Sequence, residues 1–259
     1  MRDLDERLQR AYFRLEEAQR QRLWMQRVWH PELFNWAKPS GPPAMTETKR
    51  IRQEELSRLG FGEAHYDAMM MAEKQAHEYL VSLAAEHPLA PHFDRISGLG
   101  MYLCGAFIAA GGDIDRAPTV SAFWKGMGLD LLPDGTVPRR VRGSRDVERR
   151  IPCLPHVSRV GEQIRQQIPR SHGRLREWYD HFRERVDAKN PDRAKMFNFK
   201  GALRLTQKLL YACLWREWRL AYGLEAPEPY AFAILKHDNG GLITMADFYD
   251  PEPTAKVPQ

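Results

Sequence analysis

The sequence predicts an all-α fold: an N-terminal long helix or coiled-coil region, followed by a helical domain containing a helix-hairpin-helix pattern. Three observations carry this. Apolar residues recur at three- and four-residue spacing over long stretches, strand-type alternation is nearly absent, and proline- and glycine-containing breaks separate the periodic stretches.

In chain order, residues 1–30 form the first helix. Leu4, Leu8, Ala11, Leu15, Ala18, Arg22, Met25 and Trp29 follow a 4,3,4,3 spacing through four heptads, and seven of the eight are apolar. Spanning roughly 40 Å at 1.5 Å per residue, this is the seam of a two-stranded or intramolecular coiled coil; an ordinary helix on the core of its own domain fits the same spacing. Tyr12, Phe13, Leu23, Trp24 and Val28 widen the apolar face toward a multi-helix contact. Pro31 and KPSGPP at 38–43 stop the helix and place a boundary near residue 40. A second helix over about 48–58 ends at Gly60 and Gly62. A third, over 63–86, carries Tyr66, Met69, Met70, Ala76, Tyr79, Leu80 and Leu83 and stops at His87 and Pro88. Met69, Met70 and Met71 read as adaptable core packing.

The elements then shorten to a helix near 89–95, a turn at 97–100, and helices over 101–110 and 119–127. Four prolines and little apolar periodicity over 133–155 predict an extended loop. Helices follow at 157–167, 171–188 and 193–222, the last with Leu203, Leu210, Leu214 and Trp218 on one face. The expected divisions are 1–40 (long amphipathic helix and linker), 41–88 (helical connector), 89–222 (helix-hairpin-helix domain) and 223–259, a proline-containing tail wrapping the surface.

With 43% apolar and 28% charged residues in 259, the chain can bury a core and is neither disordered nor membrane-embedded. No run approaches the ~18 apolar residues of a spanning helix, and MRDLDERLQR leads into no signal-peptide core, so a cytoplasmic protein with no membrane partner is expected. Cys104, Cys153 and Cys213 form no C-x-x-C pair; this excludes a disulfide framework or a four-cysteine zinc site and predicts reduced, mostly buried thiols. The net charge of +5 comes from 29 Arg and 10 Lys against 34 acidic residues. Its distribution is uneven: residues 136–176 hold eleven arginines against Asp146, Glu148 and Glu162, leaving the rest of the chain slightly acidic. Guanidinium groups suit two-pronged contacts to phosphate.

The sharpest motif is RISGLGMYLCGAFIAAGG at 95–112, a G-h-G turn between a short helix and an apolar one. In a helix-hairpin-helix, Gly98 and Gly100 take positive φ and approach a ligand closely, Leu99 buries itself between the helices, and the amides near Met101 point outward at the positive end of a helix. Such amides hold a phosphate without a basic side chain and read no bases. Ile96, Leu103, Ala106, Phe107 and Ile108 fit the apolar pattern around the turn. The arginines Arg139, Arg140, Arg142, Arg145, Arg149 and Arg150, in a stretch flanked by Pro138 and Pro152, supply a second phosphate-contacting stretch. Trp124, Trp178, Tyr179 and Phe182, at helical spacing, read as core before base-stacking groups.

These residues resemble the C-terminal domain of the DEDD insertion-sequence transposases, whose full-length members are RNA-guided recombinases. ISGLGMYLCGAFIAA is similar to their helix-hairpin-helix, and TVSAFWKGMGLDLLPDG to the segment that follows it; the resemblance covers about 87–222, and 63–86 resembles the coiled-coil connector before that domain. It implies nucleic-acid binding. Two departures bear on catalysis: the roughly 90 residues before the domain are too few and too helical for the family's RuvC-like metal-binding domain, and its Ser-Gly turn is matched here by Asp134-Gly135, with Thr136 and Ser144 out of register. The resemblance therefore implies a stand-alone, non-catalytic relative.

Other chemistry has little support. Cys153 and His156 offer half of a zinc site, His87, His92, His172 and His181 read as surface or capping histidines, and Asp113 with Asp115 is a pair where a metal nuclease needs more carboxylates. No GxxxxGK[ST], GxSxG or HExxH occurs. The expected function is non-catalytic, largely sequence-independent nucleic-acid binding, with DNA as partner and structured RNA as the alternative, no cofactor, and self-association through the N-terminal helix. A recombinase or nuclease subunit and a protein-interaction module are the competing readings.

Overall fold

The computed structural model describes residues 2–29, 54, 57, 58, 60, 63–131, 154–227 and 243–251, and among these it is all-helical with no strand. The α-helices are α1 (Arg2–Trp29), α2 (Glu63–Ala85), α3 (Ala90–Asp94), α4 (Met101–Gly111), α5 (Val120–Gly126), α6 (Pro155–Gln167), α7 (Arg174–Lys189) and α8 (Lys195–Ala221). Two 3-10 turns, Ile114–Arg116 and Ile168–Arg170, lie between helices, and a third, Met245–Phe248, follows α8. The boundary near residue 40, most of the helix over 48–58, nearly all of the loop over 133–155 and most of the tail lie outside the described residues. No described helix is long and apolar enough to cross a membrane.

Local chemistry sets the helix ends. Thr119 accepts from the Ala122 N–H at 3.2 Å to start α5, and Pro155 occupies the first turn of α6, where its missing N–H costs nothing. Gly223, at φ +69, closes α8: its N–H donates to Leu220 O and the Leu224 N–H reaches back to Arg219 O at 2.9 Å, a Schellman arrangement.

The chain divides into two compact units: Arg10–Ser82, and Met1–Gln9 together with Leu83–Gln259. This grouping differs from divisions at 40 and 88, because α1 and α2 each contribute to both. In the smaller unit an Arg22–Glu73 ion pair links α1 to α2. Along the heptad seam Leu8, Ala11, Leu15 and Met25 are buried within one chain, while Leu4, Ala18 and Arg22 are partly covered. The methionine triplet departs from its expected core role, since Met70 and Met71 are exposed.

The larger unit is organised around α8, which packs on α5, α6 and α7. Its Tyr211 and Trp218 meet Phe107 of α4 at ring separations of 5.1 and 6.1 Å, and Phe107 lies 5.8 Å from Phe123 of α5. His87 is buried below Trp218 rather than at the surface. Its Nδ1 accepts from the Leu89 N–H at 3.1 Å, so Nε2 carries the proton and faces Asp5 Oδ1 at 3.1 Å; the Tyr222 hydroxyl donates to the same oxygen at 2.6 Å. This network anchors the first turns of α1 to the larger unit. Cys104 and Cys213 are buried free thiols, and burial pushes Cys213 up to about 12; Cys153 lies outside the described residues.

Candidate nucleic-acid interface

The segment from α3 through Ile96–Gly100 into α4 forms a tight turn between two helices. Ile96 and Leu99 are buried, and the Leu99 N–H donates to Ile96 O at 3.1 Å, closing the turn. Gly98 sits at φ +87, a conformation that requires glycine, but its open side faces the protein: a Cβ there would lie 3.5 Å from Ser171 Cβ and 3.6 Å from Gln167 Cβ. Gly100 does not take positive φ. It is extended at φ −108, ψ 178, as the residue before a helix must be, and a Cβ on it would meet nothing within 4 Å. No side chain caps α4, and among the described residues the N–H groups of Gly100 and Met101 have no acceptor. The Tyr102 hydroxyl and Gln163 of α6 bond each other at 3.1 Å and tie the helix down just beyond the turn.

The turn has an internal anion that the sequence did not reveal. Residues 243–251 run past it, opened by a capping box between Thr244 and Asp247 and seated by the fully buried Phe248. The Asp250 carboxylate accepts from the Ser97 N–H at 2.6 Å and from the Arg174 N–H at 2.7 Å, and the Asp250 N–H donates to Arg95 O at 2.9 Å. One carboxylate thus joins the hairpin to the N-terminus of α7, where its charge complements the helix dipole. A Cβ on Gly173 would overlap that carboxylate, which accounts for the glycine. Beside it the Tyr249 hydroxyl lies 2.5 Å from His92 Nδ1, and the Arg95 guanidinium covers the Tyr249 ring at 3.9 Å.

Burial holds His92 below the ordinary imidazole value, aided by Arg95 and opposed by Glu217. A lowered histidine binds protons more readily unfolded than folded, so its share of stability is complete above the ordinary value of 6.5 and is lost as pH falls below it. The melting temperature is expected to fall between pH 7 and pH 5, with a smaller drop in His92→Gln, as thermal scans across that range will show; equal drops in the two proteins would remove His92 as the cause.

Of the expected site, Gly98, Leu99, Gly100 and Met101 are contiguous in this hairpin, whereas Arg139, Arg140, Arg142, Arg145, Arg149 and Arg150 lie outside the described residues, as do Asp134, Gly135, Thr136 and Ser144. Asp113 and Asp115 act within the fold: Asp113 accepts from the Asp115 N–H and pairs with Arg116, and Asp115 pairs with Arg2. Among the described residues no group of three or more His, Cys, Asp or Glu is placed to hold a metal. Of the four aromatics read as core, Tyr179 is buried, and Trp124, Trp178 and Phe182 are half-buried; Trp178 is held by the Asp247 carbonyl at 3.1 Å. Neither the Asp250 clamp nor the Trp124 contact with α8 could be found from periodicity, because their partners lie 76 to 153 residues apart. Comparison of the chain with family models, with curated proteins and with solved structures returns no match in any of the three.

Proposed function

We propose that the chain is a non-catalytic nucleic-acid-binding protein, with DNA as its favoured ligand, that holds a backbone phosphate at the turn formed by Gly98, Leu99, Gly100 and Met101. One observation carries the reading. The amides of Gly100 and Met101 stand at the head of an eleven-residue helix with no acceptor among the described residues, and a Cβ on Gly100 would meet nothing within 4 Å. The turn is the phosphate-binding element of a helix-hairpin-helix in this reading. The arginine excess over 136–176 supplies the long-range attraction, and the relationship to mobile-element transposases rests on the sequence resemblance over 87–222. Contacts of this kind carry no base information, so binding is largely independent of sequence. Self-association through α1 belongs to the same proposal. It would use the exposed Phe13 and Trp24, because Leu8, Ala11, Leu15 and Met25 of the heptad seam are already buried within one chain.

The deciding variant is Met101→Pro. Proline is accommodated at the first position of a helix, and Gly100 already has the extended conformation that a following proline requires, so the change deletes one amide and keeps the fold. Labelled duplex and branched DNA, and structured RNA, are titrated over a range of salt, with and without Mg²⁺. The wild-type chain is expected to bind DNA with a slope of log K against log salt near −4.5 for ~5 neutralised phosphates. Met101→Pro is expected to bind about tenfold or more weaker, the scale of one hydrogen bond to a charged group. Undiminished binding by this variant overturns the turn as the phosphate site, absence of binding overturns the function, and Mg²⁺-dependent cutting by the wild-type chain overturns its non-catalytic character.

A further inference from the structure

Helices α6 and α8 gather three cations, Arg165, Arg204 and Lys208, against two carboxylates among the described residues, Glu162 and Asp130. Arg204 and Lys208 are one turn apart on α8. Arg165 of α6 reaches the same helix, its Nε and Nη2 donating to Gln207 Oε1 at 3.1 and 3.0 Å. Gln207 is fixed in turn, its amide donating to Gly161 O at 2.9 Å and lying 3.0 Å from the Tyr211 hydroxyl. Arg204 donates to the Asp130 carbonyl. The Lys208 ammonium lies 4.6 Å from the Trp124 ring centroid, and that indole is held by its N–H to Lys208 O at 3.0 Å.

The partners that orient these cations are therefore an amide oxygen, a backbone carbonyl and an aromatic face. Among the described residues the acids nearby are Glu162, which pairs with Arg165 at 3.0 Å, and Asp130, whose carboxylate acts on Arg204 and Lys208. Among the described residues the Lys208 ammonium has no hydrogen-bond acceptor. Burial and mutual repulsion lower both α8 cations: Arg165 acts on Arg204, and Arg204 acts on Lys208. Two α8 cations are thus held half-buried against their own repulsion, and their N–H groups suit charge-assisted bonds to an anion. Arg165, Arg204 and Lys208 are each partly exposed, so each can be reached from solvent.

We propose that Arg165, Arg204 and Lys208 form a second phosphate-binding site, separate from the hairpin turn, that takes a backbone phosphate of bound nucleic acid. This rests on the nucleic-acid reading above. The planar, pre-oriented guanidinium of Arg165 and the point charge of Lys208 suit a tetrahedral oxyanion, and the site reads charge and spacing rather than base identity.

The test uses the full chain, with labelled duplex DNA and, in parallel, polyglutamate as a non-nucleic acid polyanion. Arg204→Gln combined with Lys208→Gln is expected to weaken DNA binding at least tenfold for every sequence and to make the salt slope shallower by about two, one for each phosphate-contacting cation. Lys208→Arg keeps the charge and the aromatic contact and is expected to retain the wild-type slope. The double variant is expected to keep the wild-type helical content by far-UV circular dichroism and to melt cooperatively, at or somewhat below the wild-type temperature because Asp130 loses both cations, which separates lost contacts from lost structure. An unchanged slope and affinity in the double variant, with Met101→Pro still defective, overturns this site and leaves the proposed function standing. Failure of the wild-type chain to bind any nucleic acid overturns both. Weakened polyglutamate binding with intact DNA binding overturns it in favour of an acidic protein partner.

Discussion

Trp218→Ala is expected to lower the unfolding free energy by about 3–5 kcal/mol, the range for removing a fully buried large aromatic, and to shift the melting temperature by about 10 °C. Trp218 is 0% exposed and has Phe107, Phe123, His87 and Tyr222 within 6.5 Å, ring to ring. These neighbours come from α4, α5, the turn after α2 and the end of α8, so no single movement refills the space. Gly111, the last residue of α4, is small for the same reason: a Cβ there would lie 2.7 Å from Trp218 Cζ3 and 3.1 Å from its Cη2, with Phe123 Cε2 at 3.4 Å. Gly111→Ala alone is expected to cost about 1–3 kcal/mol by overpacking. In the Trp218→Ala background the obstruction is gone, and the same alanine is expected to be neutral or stabilising, since it favours helix over glycine. Denaturant titration of the four proteins measures this coupling. Additive costs would mean that Trp218 does not set the size limit at Gly111.

Asp250→Ala is expected to cost about 2–3 kcal/mol. Two backbone N–H groups lose a charged acceptor, and α7 loses the anion at its N-terminus, with hydrogen bonds to charged groups and helix caps each worth ~1 kcal/mol or more. Asp250→Asn is expected to lose about half as much, because one carboxylate oxygen becomes an NH2 that faces an N–H. Gly173→Ala reaches the same state from the other side by expelling the carboxylate. The combined Gly173→Ala and Asp250→Ala protein is therefore expected to be no less stable than either single variant, as measured by denaturant titration. A cost equal to the sum of the two would separate the glycine from the clamp.

Most helix positions were legible in the sequence because they follow from local chemistry. The 3.6-residue periodicity of α8 and the heptads of α1 mark their helices, Gly98 marks the left-handed turn before α4, and Pro155 marks the start of α6 within two residues of the expected one. Exposure was legible less evenly. Met70 and Met71 are exposed although methionine is a common core residue, because periodicity says which residues share a face and not whether that face is covered. Gly100 differs from its expected conformation for a similar reason: a G-h-G pattern does not say which glycine bears the positive φ, and of the two only Gly98 does.

The sequence by itself determined that the described residues are helical, where their helices start and stop to within a few residues, that the basic charge is concentrated in 136–176, and that a glycine-containing turn stands at 97–100. These depend on interactions a few residues long, or on composition alone. Tertiary structure decided what stands beside that turn and which cations share a site. Asp250 reaches Ser97 across 153 residues, Arg165 reaches Gln207 across 42, and Asp5 reaches Tyr222 across 217. Each such contact is set by how helices cross and by which side chains the crossing leaves within hydrogen-bond reach. Neither is encoded in the periodicity of one segment.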